Sequence, residues 1–298
     1  MEEWRDGAFR RTLRLPGGPG ILALRPPGVG ADDRAARSDD AVEAALWLTD
    51  DADADAAVAC GRRLLDLDAD APRIDADLSR DPALAPLVAA APGRRVPGAV
   101  DAHEMAVRAV LGQQVSTAAA RTHTARLVAA HGARVVDPAG GLTSVFPTAA
   151  ALRELDPAAL ALPAARRRTL VGLVSALADG ALDLGTAVTA RAALLALPGI
   201  GPWTADTVVM RALGDRDAFL PGDLGVRVAA ERLGLPSDAR SLERHSRRWS
   251  PWRAYAVQHL WATGDHAVNR LPGGGGGDAP DSNFRGVSSE LPAWDTAG

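Results

Sequence analysis

Residue types suited to holding an anion gather in Leu197-Pro198-Gly199-Ile200-Gly201-Pro202-Trp203-Thr204-Ala205. Two glycines two apart permit a tight turn, and Pro202 suits the first position of a following helix. Backbone N–H groups at such a helix start lack intrahelical partners, and the helix dipole favours negative charge there. Gly199, Ile200, Gly201 and Thr204 could therefore hold a phosphate without any basic side chain. An ordinary helix hairpin with a glycine cap fits the same residues. Twenty residues after Trp203, Asp223 follows the turn Phe219-Leu220-Pro221-Gly222 and opens another helical stretch. On its own it reads as a helix N-cap. Three of the seven tryptophans and the only tyrosine fall in Trp249-Ser250-Pro251-Trp252-Arg253-Ala254-Tyr255 and Leu260-Trp261. Aromatics at helical spacing serve either a core or a ligand platform.

Composition removes several chemistries. All 33 basic residues are arginine, so no lysine can form a Schiff base or act as a base. The single cysteine, Cys60, excludes an internal disulfide and any cysteine-built zinc or iron–sulfur cluster, and no metal site from Cys or His is expected. No apolar run reaches the roughly 18 residues of a membrane span, and the first 20 residues lack a signal peptide's apolar core. A soluble, cytoplasmic protein without a membrane partner is expected.

The net charge of −4 is unevenly spread. Residues 32–81 hold six arginines against fifteen acids, a net of −9, while residues 101–270 hold nineteen arginines against fifteen acids, a net of +4. The last 28 residues are acidic again, at −3. The acidic segment fits a solvated face, and charge alone decides nothing here.

The elements that must position these residues follow from pattern. Residues 9–15 and 21–24 read as strands around Pro16-Gly17-Gly18-Pro19-Gly20, residues 44–48 as a third strand, and residues 53–67 as a helix. A small α+β domain is expected over 1–95, ending at the turn-rich stretch 92–98. Asp101 and Glu104 have capping-box spacing, and helices are expected near 105–111, 117–131, 148–155, 163–179, 188–196, 202–213, 223–233, 239–248 and 252–263. A helical domain over 96–268 and a disordered Gly-rich tail over 269–298 complete a mainly α fold.

Together, LPGIGPWTA, the aspartate twenty residues on and WxPWRxYAxxHLW resemble the helix–hairpin–helix DNA glycosylases, nearest the AlkA type, 3-methyladenine DNA glycosylase II. Residues 101–116, from Asp101-Ala102-His103-Glu104 to Gln113-Gln114-Val115-Ser116, resemble that family's first core helices. The resemblance is strong over about 95–265 and weak over 7–90, where the family has an antiparallel-sheet domain. That domain is short here, so a truncated copy or a start other than Met1 is an expectation.

The resemblance implies cleavage of the N-glycosidic bond of an alkylated purine flipped out of duplex DNA, with Asp223 as the catalytic carboxylate. It assigns Trp203 and Trp261 to the base pocket, where π faces attract a cationic base. Thr207 and Leu224 stand where the AlkA type has tyrosines, so the pocket is expected to be less aromatic. Gln114 falls where that type has an intercalating leucine and, with Gln113 beside it, is the expected wedge; helix-end capping fits both glutamines as well. The Leu197 and Ile200 carbonyls are candidate ligands for a monovalent cation at the hairpin. Trp203 occupies the position of the catalytic lysine in strand-cutting relatives, implying a monofunctional enzyme. No cofactor is implied. The expected partners are damaged double-stranded DNA in the nucleoid and, after the reaction, abasic-site repair enzymes; a monomer is expected. A glycosylase for an oxidised or deaminated base and a non-catalytic DNA-binding module are the alternatives.

Overall fold

The computed structural model describes residues 1–27 and 41–264; the expected Gly-rich tail lies outside the described residues. Four antiparallel strands come first, β1 (Glu2–Arg5), β2 (Ala8–Leu15), β3 (Gly18–Arg25) and β4 (Glu43–Leu48), in that spatial order. Leu15 pairs with Gly18 across a two-residue turn, where Gly18 takes φ +138°, a conformation that side chains oppose. β1 was not foreseen: Glu2, Trp4 and Arg5 carry no apolar alternation, and pairing with β2 holds the strand instead.

Alternation along β2 gives the sheet two different faces. Leu13 and Leu15, with Leu22 and Leu24 of β3, pack on Ala57, Cys60 and Leu64 of α1 (Ala54–Leu64). Arg10, Thr12 and Arg14 point the other way, onto the irregular segment 133–147. Arg10 binds Asp137 at 2.6 Å, Thr12 Oγ1 donates to the Ser144 carbonyl at 3.0 Å, and Arg14 donates to the Phe146 carbonyl.

Two short helices also lie outside the expected elements, α2 (Ala71–Leu78) in the acid-rich stretch and α3 (Ala85–Ala90) just after it. Their apolar residues Ile74, Leu78, Leu84 and Val88 join the main core rather than the sheet's cluster. The acids are partly structural: Trp249 Nε1 donates to Asp81 at 2.7 Å and Trp252 Nε1 to Asp77 at 2.9 Å. Two of the three clustered C-terminal tryptophans are thus core anchors.

The remaining helices follow the expected order: α4 (Ala102–Leu111), α5 (Thr117–His131), α6 (Ala149–Arg153), α7 (Ala164–Ala178), α8 (Ala187–Leu195), α9 (Pro202–Ala212), α10 (Leu224–Arg232), α11 (Ala239–Ser246) and α12 (Arg253–Ala262). α4 is buried along nearly its whole length and packs against α5, α7 and α9. The fold is therefore mainly helical, with a small antiparallel sheet at its start. No helix among the described residues is long and apolar enough to cross a membrane.

Candidate active site

The hairpin is α8, the turn 196–201 and α9. Inside the turn the Ile200 amide donates to the Leu197 carbonyl at 3.1 Å, and Ile200 is buried as the anchor. That bond leaves the Leu197 carbonyl one lone pair for any other ligand. Gly199 takes φ +84°, and a Cβ there would lie 1.9 Å from Thr169 Oγ1 on α7, so both backbone and space demand glycine. Gly201 caps α9 without a side chain, and a Cβ there would meet open space. The start of α9 thus faces outward with nothing but backbone, as an anion site requires.

Thr204 is buried, and its hydroxyl accepts from Gln113 Nε2 at 3.0 Å. The same nitrogen donates to the Gly199 carbonyl at 3.1 Å. Gln113 therefore braces the turn in this structure instead of projecting from it, and the Thr204 side chain faces inward. Gln114 is exposed and holds φ +51°, a strained value for a side-chain-bearing residue.

Asp223 is 1% exposed and caps α10. Its Oδ1 accepts from the Val226 amide at 2.7 Å and from Trp261 Nε1 at 2.8 Å. Its Oδ2 is buried and accepts no hydrogen bond of ordinary geometry. Burial raises the carboxyl above the usual carboxylate range; hydrogen bonding from the Trp261 and Trp203 indoles and the Val226 and Gly225 amides pulls the other way. Gly225 leaves room for this arrangement: a Cβ there would lie 3.2 Å from Asp223 Oδ1 and 3.3 Å from Trp261 Cδ1.

The structure brings Trp203 and Trp261 to Asp223, both half-buried. Thr207, one turn after Trp203 on the same helix face, is 1% exposed and its hydroxyl has no partner. Leu224 is 40% exposed beside Asp223. Sequence reasoning missed Gly225, the Gln113 brace and the seat that Thr169 gives the turn, all contacts between residues distant in sequence or dependent on close approach. Among the described residues no group of three or more His, Cys, Asp or Glu could hold a metal. Chemically, the site offers a buried carboxylate held by neutral N–H donors, with one oxygen open to a developing positive charge.

Comparison with known proteins places this architecture. Residues 1–101 match the AlkA N-terminal domain family. The chain is 53% identical over 274 residues to the probable bifunctional transcriptional activator/DNA repair enzyme AlkA of Mycobacterium tuberculosis, covering 91% of this chain and 53% of that protein. It is 40% identical over 187 residues to DNA-3-methyladenine glycosylase 2 of Escherichia coli, covering 61% of this chain and 64% of that one. It thus spans about half the length of the first relative. In structure, the 3-methyladenine DNA-glycosylase from Archaeoglobus fulgidus superposes with a TM-score of 0.74 at 22% identity, over 87% of this chain and 88% of that one, a likeness of fold. The sheet, the hairpin and the capped aspartate thus stand in a chain whose first 101 residues match the AlkA N-terminal domain and which is similar to proteins named AlkA and DNA-3-methyladenine glycosylase 2.

Proposed function

We propose that this protein is a monofunctional DNA glycosylase, hydrolysing the N-glycosidic bond of alkylated purines flipped out of the duplex and leaving an abasic site. The observation that carries this reading is Asp223, a fully buried carboxylate held by indole and amide N–H groups, whose Oδ2 accepts no hydrogen bond of ordinary geometry. Oδ2 stabilises the oxocarbenium-like sugar at C1′ and orients the attacking water. Alkylation at N3 or N7 makes the purine a cationic leaving group, so no strong general acid is needed. The faces of Trp203 and Trp261 attract that cation, each by about 0.5–2 kcal/mol.

The backbone of Gly199, Ile200, Gly201 and Thr204 takes a DNA phosphate. The Leu197 and Ile200 carbonyls fit a monovalent cation completed by water and phosphate. Gln114 fills the vacated stack while Gln113 holds the turn in register. Strand cleavage through a lysine imine has no residue to perform it, because the chain contains no lysine and Trp203 stands at that position. The abasic product passes to the class of enzymes that incises abasic sites, in the nucleoid, and the protein works as a monomer.

Base release from methylated genomic DNA tests this. Wild-type protein is expected to free 3-methyladenine and 7-methylguanine, and Asp223→Asn to keep DNA affinity while losing about 10³-fold in release. Retained release by the variant would overturn the mechanism. One observation favours a second reading, a neutral oxidised or deaminated base: the unpartnered Thr207 hydroxyl can bond an exocyclic group. Trp261→Ala separates the two, with a larger loss on cationic 3-methyladenine than on a neutral base under the first reading and equal losses under the second.

A further inference from the structure

Three stretches of this net-acidic chain contain no aspartate or glutamate: residues 105–136, 157–178 and 184–205. Together they carry eight arginines. They form most of α4, the whole of α5, α7 and α8, and the hairpin turn. Two of these arginines, Arg108 and Arg191, are ion-paired with Glu104 and Asp206, and the others lie on α5, on α7 and just after α5.

Within that group Arg166, the third residue of α7, is the unusual one. It is 8% exposed, and its buried Nη1 has no hydrogen-bond partner. Burial holds its guanidinium below the ordinary arginine range, with no carboxylate acting on it. A buried cation left uncompensated is costly, and its persistence calls for an anion from outside the fold. α5 and α7 both pack on α4, bringing Arg166 into electrostatic reach of His123, one turn from Arg126 on α5. Burial and both arginines depress the His123 imidazole, which is what three neighbouring cationic groups without an anion produce. One turn farther along α7, on the same face as Arg166, Thr169 seats Gly199 of the hairpin turn. The cluster and the turn are thus neighbours through a single helix.

We propose that Arg166, Arg126 and His123 form a second phosphate site for the DNA backbone, flanking the phosphate taken by the turn 199–204. The proposal rests on the DNA-acting reading above. A guanidinium fork matches phosphate oxygens in two parallel hydrogen bonds, and the incoming charge compensates Arg166 where the protein does not.

The test measures binding of the full chain to an undamaged duplex by fluorescence anisotropy across a KCl series, for wild type, Arg166→Gln and Arg126→Gln. Each variant is expected to weaken binding about 5- to 10-fold at low salt, whatever the sequence, and to flatten the log–log salt slope by about one. Thermal melting of Arg166→Gln should match or exceed wild type, because an uncompensated buried cation is removed. A purely structural arginine would lower melting and leave the slope alone. Should Arg166→Gln fail to fold, the exposed Arg126→Gln still decides through its slope. Folded variants with unchanged slopes, beside a wild type that binds DNA and releases bases, would overturn this site alone. A wild type that binds no duplex would overturn the glycosylase reading and this site with it.

Discussion

Two buried carboxylates in this molecule live in opposite company. Glu104, 6% exposed at the start of α4, faces Arg11 of the sheet at 2.9 and 3.0 Å and Arg108 at 2.9 Å, while Arg108 also reaches Glu2 at 2.8 Å. Asp223, at the start of α10, meets only neutral N–H donors, and its buried Oδ2 accepts no hydrogen bond of ordinary geometry. Each sits in the first turn of a helix and benefits from the dipole there. The difference is saturation. Glu104 has its charge consumed by two guanidinium groups and acts as a latch between sheet and helices. Asp223 has its charge tolerated but not neutralised, which leaves it free to act on a substrate.

Crossing the two residues breaks the comparison if it is false. Asp223→Asn should cut base release by about 10³-fold while melting at or above the wild-type temperature, since Asn still caps the helix and the raised carboxyl shows that ionisation is disfavoured by folding. Glu104→Gln should do the reverse: it removes one of the two carboxylates that Arg11 and Arg108 share, leaving Glu2, and lowers stability by about 1–3 kcal/mol in denaturant unfolding. Release below its melting temperature should stay near wild type. Matching phenotypes for the pair would erase the distinction.

Smaller effects sharpen it. Gly199→Ala collides with Thr169 and forces a side chain into φ +84°, so about 1–3 kcal/mol of stability should go, along with hairpin-dependent DNA binding. The pH profile of single-turnover release has a defined sign. Asp223 must be ionised and its carboxyl is raised, so activity should fall with decreasing pH at values above the usual carboxylate range. An acid limb within the ordinary aspartate range would show that burial does not govern the group. Gly225→Ala should cost least, about 3- to 10-fold in release, by nudging Trp261 and Asp223 apart by tenths of an ångström.

What could be read from sequence was whatever declares itself within a few residues. The hairpin announces itself by Gly199, Gly201 and Pro202, and the cap by Asp223 after Pro221-Gly222. β2 follows from partial alternation and β3 from a short apolar run, on either side of a glycine turn. The brace from Gln113 joins residues 86 and 91 positions apart, and no local pattern encodes that. Arg10 and Arg11 are charged residues in a strand, yet both are buried, because Asp137 and Glu104 come to meet them from far along the chain. α2 hid among aspartates that fit a solvated face, and α3 is a single short turn of small and apolar residues. Asp77 and Asp81 proved to be acceptors for tryptophan N–H groups, an assignment hydropathy cannot make.

The brace from Gln113 has a mechanical consequence. One amide nitrogen just past α4 is tied to Gly199 within the hairpin turn and to Thr204 in the first turn of α9, so exposed Gln114 stands at a fixed offset from the start of α9. On the proposed reading, the protein meets a duplex as a caliper with locked jaws, one on the sugar–phosphate track and one at the base stack. A locked caliper cannot adapt to stiff, straight DNA; the duplex must bend to fit it. Sites where the stack already yields close around it at the lowest deformation energy, so selection begins with the stiffness of the helix, before any base reaches the tryptophans.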